Sequence, residues 1–168
     1  MKIPFTIKLL LCGLLFLRTG YCQTIDSDYD SLLQKLLAHS VNEVQAKDAA
    51  EKATVVFLDA REKKEYDVSH IRNAVWVGYR GFGRNRVVDI PKGEKLIVYC
   101  TVGFRSEKIA ERLIRMGYKD VSNLYGGIIE WVNSDNAVYK GENIPTERVH
   151  TFNKSLGVWL KKGEKVYK

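Results

Sequence analysis

The sequence predicts an α/β domain with a mainly parallel central sheet and helices on both faces. Three observations carry this. Short unbroken apolar runs at 54–58, 74–77 and 96–99 have the length and composition of strands buried on both sides. Stretches with apolar residues at helical spacing separate or follow them, the clearest being 106–116. The two kinds alternate, the order in which parallel strands are joined by crossover helices. A length of 168 residues holds one ordinary domain plus extensions. The 45% apolar content supplies a core, and 28% charged residues argue for a soluble body rather than a membrane bundle.

Residues 1–22 read as a cleaved secretory signal peptide. Lys2 gives a positive start, and 7–17 is apolar apart from Lys8, short for a membrane span. Gly20 and Cys22 place small residues three and one positions ahead of a cut before Gln23. Two other readings stay open: acylation at Cys22, against which the bulky Tyr21 counts, and an uncleaved anchor. Cleavage removes Cys12 and Cys22, leaving Cys100 alone, so no disulfide forms within one mature chain. It also removes three cations and no acid, so a formal charge of +7 falls to +4. That is weak evidence for a nucleic-acid partner. The protein is expected to be exported, periplasmic or secreted.

Residues 23–43 are expected to form a linker and helix, with 23–30 polar and 31–37 at helical spacing over the sheet edge. Val41 and Val44 lead into a short strand or turn, and 47–52 suits a helix. The run 54–58 is a buried strand ending at Asp59. Asp59 and Arg61 then lie at the carboxyl end of a parallel strand, where α/β folds place ligands. They either flank the mouth of a site or join a structural ion-pair cluster with Glu65. The third strand is 74–77, with Trp76 as core or rim packing. The glycine-rich loop 78–86 carries three arginines without the lysine and Ser/Thr ending of a phosphate loop. It is a solvated loop or a collector of anions. Residues 91–93 turn the chain into the central strand.

Residues 95–117 hold the chemistry. Leu96 to Tyr99 is the central strand; Ser106 is a candidate cap for a helix carrying Ile109, Ala110, Leu113 and Ile114, which ends at Gly117. Between them Cys100, Thr101, Val102, Gly103, Phe104 and Arg105 make a tight loop whose N–H groups, with the helix dipole, face the Cys100 sulfur. Such surroundings favour a thiolate nucleophile over an inert buried thiol. A phosphate-cradling loop needs five residues between cysteine and arginine; Arg105 follows after four. The smaller ring suits one extra sulfur atom better than a phosphoryl group, which argues against a phosphatase or arsenate reductase.

Downstream, 121–124 is a short strand, Gly126 and Gly127 permit a sharp turn, and the helix from Ile128 puts Trp131 in the core. The tail 135–168 mixes lysines with Tyr139, Phe152, Trp159 and Tyr167, an aromatic content that argues against disorder. It is expected to wrap the domain and partly wall the pocket.

Together YCTVGFRSEKIAERL, DAREKKEYDVSHIRNA and NLYGGIIEW, in that order, resemble a single-domain rhodanese, a sulfurtransferase, over 44–134. The resemblance implies a rhodanese-like α/β fold and a structural rather than catalytic His70. It implies that Cys100 attacks the outer sulfur of a donor such as thiosulfate and passes the sulfur of its persulfide to cyanide or a thiol. The N–H groups of 101–105 would stabilise the anionic sulfur. Arg105 would offer charge to the donor or hold the loop through a carboxylate. Thr101 stands where many active members have a cation, which should weaken attraction of thiosulfate. No metal or organic cofactor is needed, and no Cys/His spacing fits zinc. The expected partners are a small-molecule sulfur donor and a thiol acceptor, an exported thiol protein among the candidates. No nucleic acid is expected, a membrane enters only if the N-terminal segment stays uncleaved, and the chain is expected to be monomeric. The competing reading is a non-catalytic binding or persulfide-carrier module.

Overall fold

The computed structural model describes residues 25–167. The signal-peptide expectation for 1–22 lies outside them. The first helix, α1 (Ser27–Leu36), begins earlier than the polar run 23–30 suggests. Asp26 is its cap, its carboxylate accepting from the N–H groups of Asp28 and Tyr29, so part of the expected linker is helical. Then follow β1 (Asn42–Val44), α2 (Ala46–Ala50), β2 (Val56–Asp59), α3 (Lys63–Val68) and β3 (Val75–Trp76). A 3-10 turn at Arg84–Arg86 interrupts the arginine-bearing loop. The central strand β4 (Lys95–Tyr99) leads to α4 (Phe104–Arg115), β5 (Asp120–Leu124) and α5 (Gly127–Asn133).

These five strands form one wholly parallel sheet in the order β1-β5-β4-β2-β3. Alternation along β4 sorts the core into two halves. Leu96 and Val98 face α4, meeting Ile109, Ala110 and Leu113; Ile97 and Tyr99 face the other way, toward α1, α2 and α5. Cys100 continues the Leu96–Val98 series, so the sheet's pleat delivers its side chain to the α4 side. Leu58 pairs with Val98 and Asp59 with Tyr99, which brings the ends of β2 and β4 together beside the cysteine.

The tail adds an antiparallel hairpin, β6 (Val138–Lys140) with β7 (Ile144–Thr146). It then adds β8 (Arg148–His150), the short helix α6 (Lys154–Gly157) and β9 (Glu164–Val166), with β8 and β9 paired in parallel. It wraps the domain. Trp159 stacks on the buried Tyr29 of α1 at 5.4 Å between ring centroids, and Asn133 holds both the Trp159 carbonyl and the Lys161 N–H. No helix among the described residues is long and apolar enough to cross a membrane.

Candidate active site

The loop after β4 is shorter than the placement of Ser106 as cap implies. Helix α4 starts at Phe104, and its cap is Gly103 at φ +109, a left-handed conformation that a side chain would strain. Ser106 instead lies inside the first turn, 2.7 Å from Asn123 Oδ1 and 3.0 Å from the Gly103 carbonyl, which also accepts from Asn123 Nδ2 at 3.1 Å. These contacts fix Gly103 so that its N–H points at the Cys100 sulfur, 3.2 Å away. Phe104 and Arg105 precede the first intrahelical bond, from the Glu107 N–H to the Gly103 carbonyl at 3.0 Å, so the positive end of α4 faces the same sulfur.

The back of the loop is held by α5. The Ile128 N–H donates to the Cys100 carbonyl (2.9 Å) and the Ile129 N–H to that of Thr101 (3.3 Å). Gly127 makes this approach possible: a Cβ there would stand 2.5 Å from the Cys100 carbonyl oxygen.

Arg105 takes the second of the two roles open to it. Its guanidinium forms a two-pronged pair with Glu65 (2.6 and 2.8 Å) and donates to Thr101 Oγ1 (3.0 Å). Thr101 donates in turn to Glu65 at 3.2 Å. Burial alone would raise the Glu65 carboxyl, but the hydrogen bonds and charge of Arg105 hold it below the usual carboxylate range. Burial opposes the Arg105 cation, and Glu65 outweighs it, so the guanidinium is firmly charged and already paired.

Asp59 and Arg61 do not flank the pocket. Both are fully buried and bound to each other, Arg61 Nη2 lying 2.6 Å from Asp59 Oδ2 and 2.5 Å from the Ser69 carbonyl. They sit behind the loop, where the pair braces the ends of β2 and α3. Arg61 precedes α3 and pairs with Asp59, so it does not share a helical face with Glu65. His70 is structural too: its ring stacks on Tyr66 at 4.0 Å, and its backbone N–H donates to the Tyr139 carbonyl at 2.7 Å.

Cys100 is 1% exposed and lies at the floor of a cavity of about 610 Å³. Thr101, Val102, Phe104 and Arg105 line it from the loop, while Gly103 is turned away toward Leu37 and Asn123. Sequence reasoning missed most of the remaining wall. Leu36 comes from α1, Glu62 and Lys64 from the start of α3, and Tyr79 and Arg80 from the arginine-bearing loop. Phe152, Asn153, Ser155 and Leu156 come from the tail, as its aromatic content suggested. The signal for Arg80 was the cluster of arginines between glycines; for Lys64 and Leu36 there was none. The arrangement holds one free cysteine at the base of a cleft, with an amide and a helix terminus placed to stabilise negative charge on its sulfur.

The rhodanese-like domain model matches residues 41–134, more than half of the chain. A tRNA uridine(34) hydroxylase of Hamiltonella defensa is 38% identical over 107 residues, covering 60% of this chain and 28% of that protein. The chain thus spans under a third of that relative's length. Among solved structures, the rhodanese-like domain of the Anabaena sp. Alr3790 protein superposes with a TM-score of 0.53 at 20% identity, over 60% of this chain and 80% of that one. Thiosulfate sulfurtransferase from Pseudomonas aeruginosa reaches 0.56 at 19% identity, over 82% of this chain and 27% of that one. At such identities the structures speak for the fold, and they agree with the parallel sheet described above. The family match and the shared architecture together place this chain in the rhodanese-like domain family.

Proposed function

We propose that the chain is a sulfurtransferase that carries sulfur as a persulfide on Cys100. The observation that supports this most directly is the Gly103 N–H donated to the Cys100 sulfur at 3.2 Å, at the N-terminus of α4 and on a cavity floor. The thiolate attacks the outer sulfur of a sulfane donor; with thiosulfate the S–S bond breaks and sulfite departs with its electron pair. Cys100 is left as a persulfide anion, whose terminal sulfur then passes to a thiolate acceptor or to cyanide. The same amide and helix terminus stabilise the anion before and after transfer.

The test is intact-mass measurement after separate incubations with thiosulfate and with benzenethiosulfonate. A gain of one sulfur, removed by cyanide and absent in Cys100→Ser, is expected, with the variant's fold unchanged by circular dichroism. Unchanged mass with both donors, or sulfur release persisting in the variant, would overturn the reading. A carrier without turnover would gain the sulfur but release no sulfite in excess of protein. The same mass spectrum tests the export proposal, since a signal cut before Gln23 removes residues 1–22. A second reading comes from the relative named as a tRNA uridine(34) hydroxylase. It predicts loss of hydroxylated uridine in tRNA from cells lacking the chain, restored by wild type and not by Cys100→Ser.

A further inference from the structure

The family match ends at residue 134, yet the cavity over Cys100 is finished by residues beyond it. Phe104 and Phe152 are the two exposed phenylalanines among the described residues, 41% and 50% exposed, and both line this cavity. Leu36 and Leu156 complete an apolar wall around them. Exposed aromatic surface gathered at one concavity marks a binding site rather than incidental exposure.

The presentation of Phe152 is built in. Its backbone is left-handed at φ +67, an unfavourable conformation for a bulky residue, and its N–H is fixed to His150 Nδ1 at 3.1 Å. Its ring lies 5.1 Å from the Arg105 guanidinium, whose charge is already committed to Glu65. The guanidinium beside the sulfur is therefore not free to bind a donor's anionic end. Thr101 is neutral and Arg105 is paired, while the unpaired cations lining the cavity are Lys64 and Arg80, both exposed. A volume of about 610 Å³ suits a small organic molecule; an inorganic ion would leave most of the wall without contact.

We infer that Phe152 and Leu156, with Phe104, are specificity-determining residues that select an organic sulfane donor with an apolar body over inorganic thiosulfate. This rests on the proposed persulfide chemistry and assigns its substrate class. With an aryl thiosulfonate, the Cys100 thiolate forms a bond to the terminal sulfur, the S–S bond to the sulfonyl group breaks, and an aryl sulfinate leaves with the electron pair. The aryl group stacks against Phe152 and Phe104 while the persulfide stays under the Gly103 amide.

The experiment compares kcat/KM for benzenethiosulfonate, methanethiosulfonate and thiosulfate in the full chain and in Phe152→Ala, Leu156→Ala and Phe104→Ala. The wild type is expected to prefer the aryl donor over the methyl donor by about tenfold or more, the factor that burying part of one ring supplies. Phe152→Ala is expected to cut that preference about tenfold, acting on KM for the aryl donor. An aryl-to-methyl ratio near one in the wild type, or one unchanged in all three variants, overturns the specificity assignment while the sulfur transfer stands. No sulfur transfer from any donor overturns both, and the intact-mass result tells the two failures apart.

Discussion

At the scale of single residues, the site depends on ion pairs held out of water. Asp59 and Arg61 are fully buried, and burial opposes the Arg61 cation, which Asp59 keeps firmly charged. Removing one partner strands the other. Asp59→Asn is expected to cost about 3–5 kcal/mol, whereas Asp59→Asn combined with Arg61→Met should recover much of it. Urea denaturation of both variants checks this; equal losses would show that packing and not charge dominates. Glu65 is a different case. It spans from α3 to the cysteine loop through Arg105 and Thr101, so it orders a loop in addition to folding a helix. Nothing local in the sequence gives the partner of Glu65, because it is set by tertiary approach. Asp59 and Arg61 sit two positions apart, but Glu65 reaches Arg105 across 40.

Among elements, α4 and α5 act as a pair. The first points its N-terminus at the sulfur and the second clamps the carbonyls behind it, and Gly127 is the point of closest approach. Gly127→Ala places a Cβ 2.5 Å from the Cys100 carbonyl oxygen at φ +58. A loss of about 2–3 kcal/mol is expected, with the loop displaced so that activity falls even in the folded fraction. Measuring the denaturation midpoint together with activity per folded molecule checks both parts, and a fully active folded variant would show that the clamp is dispensable. Much of this level was legible in advance. The apolar runs of β2, β3 and β4 mark parallel strands, and the period of α4 and its glycine ending survive in the structure, though Ile114 on the expected apolar face is exposed. The starts of α1 and α4 were misplaced for one reason. Polar residues serve equally as caps, turn formers and first-turn residues: Asp26, read as part of a linker, caps α1, and Ser106, read as a cap, is drawn into the first turn of α4 by Asn123, 17 residues away.

For the molecule as a whole, the tail is a structural partner of the domain. His150 on β8 is buried near Glu65, with Arg61, Lys64 and Arg105 the nearby cations that oppose its protonation. Burial lowers its pKa below the ordinary value of about 6.5, and the Glu65 charge only partly offsets this. The unfolded chain therefore binds a proton that the folded one refuses. Stability is unaffected by this residue well above pH 6.5, declines as pH falls through that value, and levels off once the folded imidazole also protonates. In His150→Asn, whose amide oxygen can still accept the Phe152 N–H, the mildly acidic slope of the urea midpoint should shrink; an identical slope would assign it to another group. The tail's docking was foreseeable only in outline, since aromatic content says that a segment packs and not against what. Tyr29 stacks on Trp159, and Leu36 and Leu156 both line the cavity over Cys100, so segments before and after the matched domain come together. During synthesis the cysteine loop thus emerges well before its roof. A nascent or clipped polypeptide would hold its thiol in a shallower dish, and the full depth of the cleft would come into being only when Phe152 and Leu156 leave the ribosome and settle.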